Sequence, residues 1–354
     1  MSLPEWRKEI DHIDEQMLNL LNRRAELARD IGLSKAKSRA HYFTPEREFA
    51  VFDRLLKRNP GPLDSSAIRS IFREIISACR ALEKPLVVAY LGPEGTFSHM
   101  AGLARFGSSS IFHAVETISD VFTQTERNQC DYGIVPVENS WAGAVPETVD
   151  SFLNSNLRVV SEVFQPIHHN LLTRCETLED IKTLYSHFQP FAQCRQWLRN
   201  HLPQVEVIEV SSSSRAAEMC VQDVQSAAIA TTLAAERYEL PILCEHIEDN
   251  PANRTRFLVL GYNEPEPTGK DKTSLIFTVP NQSGALVHAL DCFEKYDVNL
   301  SMIETRPTKT AAWQYFFYID VQGHTHDIAV EKAINLLKQQ ALFVRVLGSY
   351  PEAL

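Results

Sequence analysis

One apolar stripe restricts the fold of this chain more than any other feature: Trp6, Ile10, Ile13, Met17, Leu20, Arg24, Leu27, Ile31 and Lys35 recur at three- and four-residue steps. That spacing is helical, with no strand-like alternation. A second helix is predicted after Thr44-Pro45, where proline suits a first turn, ending near Asn59-Pro60-Gly61. A third follows Asp64, a capping residue, and carries Ile68, Ile71, Phe72, Ile75, Ile76, Cys79 and Glu83 on one side. A first helix over residues 4–37 is roughly 50 Å long at about 1.5 Å per residue, more than two shorter helices can cover. The expectation is an intertwined dimer in which long helices of two chains share one core. The stripe also holds two cations, and a buried-face Arg needs an anion to offset its desolvation. Arg7, Arg24, Lys35 and Arg47, with Glu48 and Glu83, can enclose a small dicarboxylate. A structural bridge from Arg24 to Glu48 or Glu83 explains the same pattern.

At Lys84-Pro85 the period changes. Short apolar strands are predicted at Leu86–Leu91, Tyr132–Val137, Val159–Val163, Val205–Val210, Ala227–Ala230 and Arg256–Leu260, alternating with helical stretches as in a wound α/β sheet. Residues 263–272 have a linker's polar, Pro- and Gly-containing composition. Beyond them the order is strand, helix, strand, strand, helix, strand, that of a ferredoxin-like α+β domain. The expected domains are therefore 1–84, all-α; 86–262, α/β; and 273–354, α+β.

Composition narrows the function. The chain has 354 residues, 44% hydrophobic, with a formal net charge of -10, which is ordinary for soluble globular domains and excludes disorder. The apolar run Leu86–Leu91 falls far short of the roughly 18 residues of a membrane span, and the N-terminus has no apolar signal region, so a cytoplasmic protein is expected. Seven scattered cysteines, none in a CxxC pair, suggest neither a disulfide framework nor a zinc site. Residues 1–84 carry 16 Lys+Arg against 13 Asp+Glu, and the remainder 19 against 32. The acidic bulk argues against nucleic acid, and the basic helical segment for a small anionic ligand.

The α/β segment shows no metal constellation, Walker loop or GxSxG elbow. It offers hydroxyls and amides after strands: Thr96 and Ser98 in the run Gly92–His99, Glu138, Asn139 and Ser140 after Pro136-Val137, Ser211–Ser214, and Asn253–Phe257. Each can face an anion at a helix N-terminus. Each can equally be a helix cap.

Arg7, Ile10, Asp11, Asp14, Met17, Leu20 and Arg23/Arg24, followed by Lys35 and Pro45–Glu48, resemble the small all-helical chorismate mutase domain across residues 4–84. The resemblance implies that Arg7, reaching from a partner chain, with Arg24, Lys35 and Arg47, holds the carboxylates and ether oxygen of chorismate. Glu48 then binds the ring hydroxyl, Cys79 stands where Ser is common near the site, and Glu83 meets the breaking ether oxygen beside Lys35. The reaction is a pericyclic rearrangement needing no nucleophile or cofactor.

GPEGTFS, VPVENS, PIHHNLL, YSHFQPFAQC and the TRF triplet of Thr255–Phe257 resemble prephenate dehydratase over residues 86–262. This implies a two-lobed α/β fold like type II periplasmic binding proteins, with no metal. Thr255 is then the catalytic hydroxyl, and Thr96, Ser98, Glu138, Asn139, Ser140, Ser213 and Arg256 contact substrate; His169 and His187 match family positions too. Residues 273–349 resemble the ACT regulatory fold, with Gly284, Ala285, Leu286 and Val287 as its GALV segment and Glu304, Thr305, Arg306 and Pro307 as its ESRP motif. Those segments imply an L-phenylalanine site between subunits. Together the three resemblances are those of bifunctional chorismate mutase-prephenate dehydratases, acting on chorismate and prephenate as a homodimer or dimer of dimers.

A carboxylate is acceptor-only, so Glu83 must be protonated to donate to an ether oxygen. The rearrangement is expected to speed up below neutral pH, and Glu83→Gln to flatten that rise, as read from the pH–rate profile of the wild type and the variant.

Overall fold

The computed structural model describes residues 2–38, 41–308 and 315–353. Helix α1 runs Leu3–Ser38, α2 Pro45–Arg58 and α3 Ser65–Glu83, matching the boundaries read from the sequence. The Asp64 carboxylate caps α3 by accepting from Ala67 N at 2.8 Å. Arg24 lies beside Ile75 and Gly32 beside Glu83, so α1 and α3 run in the same direction. Gly32 permits that approach, because a Cβ there would stand 2.8 Å from Glu83 Cβ. Of α1, Ala28 and Gly32 are buried, whereas Trp6, Ile10, Ile13, Met17, Leu20, Leu27 and Ile31 are exposed. Among the described residues of one chain nothing covers the stripe.

Strands β1 (Val87–Leu91), β2 (Ile111–Val115), β3 (Tyr132–Asn139), β4 (Gly143–Ala144) and β5 (Arg158–Pro166) come next. Then follow β6 (Asn170–Thr173), β7 (Thr183–Ser186), β8 (Glu206–Glu209), β9 (Ser226–Ala230), β10 (Ile242–Cys244) and β11 (Arg254–Gly261). One sheet has the order β2-β1-β3-β11-β5, with β4 on β3; the other is β10-β6-β9-β7-β8. Each sheet organises one lobe, and the chain passes between them twice, over residues 167–169 and 245–253. Five strands were not expected. β2 and β10 are edge strands with polar or partly exposed faces, and β4, β6 and β7 have four residues or fewer, too short to show a period.

The third sheet, of order β13-β14-β12-β15, uses β12 (Asp271–Thr278), β13 (Leu300–Pro307), β14 (Tyr315–Gln322) and β15 (Phe343–Pro351), with helices Ala285–Glu294 and Ile328–Gln340 on one face. This is the expected βαββαβ order. The segment read as a linker to Lys272 ends earlier: Asp271 accepts from Thr268 N and Gly269 N, closing the turn, and Lys272 is buried within β12. The other face of this sheet is not free. Ile276, Phe316, Tyr318, Leu347 and Tyr350 join Phe152, Val159, Leu258 and Leu260 of the first lobe in one core.

That junction is tight at Gly348, where an added Cβ would stand 2.1 Å from the Val159 carbonyl oxygen. Gly348→Ala must push β15 off β5. We expect it to cost about 1–3 kcal/mol, the scale of overpacking, as a lowered midpoint in denaturant unfolding.

Candidate active sites in the cleft and on the helices

Where β3 and β11 pair antiparallel, Asn139 opposes Thr255 and Glu138 opposes Arg256, after which the register steps to Phe257 opposite Pro136. The extra residue is a bulge, a device that re-aims the side chains beside it. It turns Asn139 to the face of Thr255. Asn139 Oδ1 accepts from Trp141 N at 3.0 Å and Ala142 N at 2.9 Å. Those two backbone donors fix the amide orientation, because only the oxygen can accept them. The NH2 group therefore donates, to Thr255 Oγ1 at 2.8 Å and Asn253 Oδ1 at 2.9 Å. Thr255 Oγ1 is an acceptor in this contact, which leaves its own proton available for a leaving group. Ser140 is exposed beside them, its hydroxyl accepting from Arg254 N at 3.0 Å.

The loop after β1 carries the other hydroxyls. Thr96 caps helix α4 (Phe97–Phe106), accepting from His99 N and donating to Leu91 O at 3.3 Å. Ser98 is buried in its first turn. His99 stacks on Tyr90 with centroids 4.8 Å apart, and burial lowers its proton affinity. Across the cleft Ser213 opens helix Ser213–Gln222, capped by Ser212. The lobes touch here: Thr231 Oγ1 donates to Gly95 O at 2.6 Å, Ser214 Oγ donates to Glu94 O, and Arg237 pairs with Glu94. Gly95 has φ +87°, and a Cβ on it would meet Ser214 Oγ at 3.2 Å. His169 Nε2 is 2.7 Å from Gln193 Oε1, and His187 caps helix Phe188–Gln193.

Two expectations for the cleft are corrected. The Arg256 side chain points away from Thr255, as successive strand residues must. It is buried against the third sheet, with Nε 2.6 Å from Glu162 Oε2, Nη2 2.9 Å from Tyr350 OH, and Nη1 on Asp320. Glu138, opposite Arg256 in the register, shares that face rather than the face of Thr255.

On the helices, Lys35 Nζ lies 3.2 Å from both Glu83 Oε2 and Tyr42 O, Arg24 Nη1 donates to Ile75 O at 3.4 Å, and Cys79 is buried one turn before Glu83. Glu48 stands apart, against expectation. Its two oxygens accept from Arg80 and Arg105, each at 2.6 Å, with the Phe43 ring under both guanidiniums. A carboxylate between two largely buried cations has no reason to turn elsewhere. Arg80 and Arg105 were not anticipated, since Arg105 lies on α4, 57 residues further along the chain. Arg47 is exposed nearby. Arg7 is exposed on α1, about 26 Å along the helix from Arg24 at 1.5 Å per residue, so it does not reach that group within one chain.

In the third sheet Gly284 takes φ +83° at the start of its helix; Ala285 is buried, Leu286 half-buried and Val287 exposed. Glu304, Thr305, Arg306 and Pro307 end β13. Arg306 is committed to the first lobe, with Nε and Nη2 at 3.0 and 3.1 Å from the two oxygens of Asp150.

Residues 6–84 match the family model for chorismate mutase type II and residues 88–265 that for prephenate dehydratase. The chain is 46% identical over 356 residues to the bifunctional chorismate mutase/prephenate dehydratase of Aquifex aeolicus, covering 99% of this chain and 98% of that one. With the protein of the same description from Escherichia coli K12 it shares 32% over 368 residues, 98% and 95% of the two chains. The chain belongs to the bifunctional chorismate mutase/prephenate dehydratase family. It carries both activities, the mutase on its helices and the dehydratase on its lobes. Among solved structures, prephenate dehydratase from Arthrobacter aurescens in complex with L-Phe superposes with a TM-score of 0.70 at 35% identity, covering 75% of this chain and 90% of that one.

For a dehydratase of this build Arg256 is a joint rather than a substrate ligand. Arg256→Ala leaves Glu162 and Asp320 buried without their shared cation, and breaking a buried pair costs about 3–5 kcal/mol. Denaturant unfolding of the full chain checks this; a loss below about 1 kcal/mol, the scale of an exposed pair, contradicts the assignment.

Proposed function

We propose that the helices rearrange chorismate to prephenate and that the cleft converts prephenate to phenylpyruvate, under feedback inhibition by L-phenylalanine. The observation that carries the dehydratase reading is the Thr255 hydroxyl, held as an acceptor by Asn139 Nδ2. Its proton goes to the ring hydroxyl as that group departs as water. The carboxylate leaves as CO2, and its bonding electrons complete the aromatic ring. Solvent then restores the Thr255 proton. Aromatisation supplies the driving force, so modest proton donation suffices. Ser140, Thr96, Ser98 and Ser213 are substrate-binding candidates around that reaction.

For the mutase, Lys35, Arg24, Cys79 and Glu83 form the half-site contributed by one chain, and Arg7 of a second chain completes it. Such a dimer also covers the bare stripe of α1. Rate then comes from holding one conformer and stabilising the ether oxygen as its bond to carbon breaks. The domains are 1–84, 86–262 and 273–354, the last read as an ACT domain joined by residues 263–272. The Arthrobacter relative holds L-Phe, which supports placing the effector at Gly284–Val287 and Glu304–Pro307. Phenylalanine there favours an arrangement of subunits in which the cleft is less competent.

The test is purified protein given chorismate alone, with prephenate and phenylpyruvate followed over time. Both appear in sequence if the reading is right. In Thr255→Val prephenate accumulates, its conversion falling by about 100-fold or more, the contribution of a positioned proton donor, while its formation keeps the wild-type rate. Unchanged conversion in that variant removes Thr255 from the chemistry.

A further inference from the structure

The two segments crossing between the lobes bring together three side chains that no step above uses. His168 lies on the first crossover, between β5 and β6; His246 and Glu248 lie on the second, between β10 and β11. The Nδ1 atoms of both imidazoles face one oxygen, Glu248 Oε1, at 2.7 Å from His168 and 3.6 Å from His246. All three donor atoms lie within 4.8 Å of one another, and tetrahedral zinc, with bonds of about 2.0–2.2 Å, sets its ligands about 3.4 Å apart. The other oxygen, Glu248 Oε2, is pinned by His169 N at 2.8 Å.

A proton satisfies this arrangement poorly. It can sit between His168 and Glu248, but the His246 nitrogen, at 3.6 Å, then has no short partner there. A dipositive ion engages all three atoms at once. The carboxylate is 1% exposed while the imidazoles are 38% and 57% exposed, so an ion can enter from solvent onto a sequestered anion. His246 is moreover held in the left-handed region at φ +54°, with its N–H donated to Asn170 Oδ1 at 3.3 Å.

We propose that His168, His246 and Glu248 form a site for a divalent transition-metal ion of the zinc class, which clips the two interlobe crossovers together. Solvent supplies the fourth ligand. Ligation through His168 Nδ1 places that ring's proton on Nε2, and Glu248 Oε1 exchanges its hydrogen bond from His168 for the ion. The crossovers already share Ile247 N to His169 O at 2.8 Å and Ile167 N to Asn253 O at 2.9 Å, and Asn253 accepts from Asn139 in the cleft. An ion at this clip stiffens the two crossovers that join the lobes.

The experiment is titration of the full-length, metal-stripped protein with zinc chloride by calorimetry and with cobalt(II) chloride by visible absorption. Amide hydrogen exchange is measured with and without zinc. Expected are about one ion per chain with the d–d bands of four-coordinate cobalt, together with slower exchange at Ile167 and Ile247. His168→Ala and His246→Gln should each weaken binding by about tenfold or more; His246 is exposed, so its variant folds even if the other does not. Absence of saturable binding, or equal binding in the His246→Gln protein, overturns the site. Binding at these residues with unchanged exchange at both amides overturns the clip.

Discussion

The structure depends on one buried cation. Arg256 lies on the central pair of strands of the first lobe, yet its guanidinium is shared by Glu162 on β5 and Asp320 on β14, and Lys272 of β12 reaches the same Glu162 at 2.9 Å. Two positive and two negative charges thus balance in a space with almost no water. Burial pushes the Glu162 carboxyl up, but Arg256 and Lys272 outweigh it and hold it below the ordinary value. Tyr350 and Tyr318 are driven the other way, by burial first and then by Asp320. Ser274 closes the circle, 2.5 Å from Asp320 and 2.6 Å from Tyr350. Such a cluster adds little net stability relative to apolar packing. What it imposes is position: the third sheet docks only where Asp320 meets Arg256, and one residue before Arg256 stands Thr255.

That adjacency gives β11 two duties on opposite faces. One face carries a hydroxyl into the cleft, and the other carries a charge into the joint with the third sheet. The bulge in β3 keeps the arrangement consistent, because without it Asn139 would lie on the wrong side of the sheet to hold Thr255. Asp320 of β14 touches Arg256 directly, and Arg256 is one peptide unit from Thr255.

Much of this was legible in the sequence, for definite reasons. Helix ends announced themselves through Asp64 and Pro45, and the βαββαβ order of the last segment through its change of period. The type of residue at the cleft was legible as well, since a hydroxyl and an amide following strands are conspicuous. Which face a side chain takes was not. Arg256 stands in the TRF triplet beside Thr255, and strand alternation, not residue type, sends it to the third sheet. Glu48 was misplaced because its partner Arg105 belongs to a different unit of the chain, a pairing that spacing cannot reveal. The same holds for His168 and Glu248, 80 residues apart and adjacent in space. Short strands such as β6 and β7 carry too few residues to declare a period.

The bare side of α1 has a consequence in mass action. The lobes and the third sheet close their cores within a single chain, so dilution leaves them untouched. The long helix does not. Among the described residues nothing covers its apolar side, and Arg7 lies too far along the helix to meet Arg24 and Lys35 of its own chain. In the proposed dimer, dilution therefore acts on the first reaction as a denaturant acts on a fold, whereas the hydroxyl and amide of the second come from one chain.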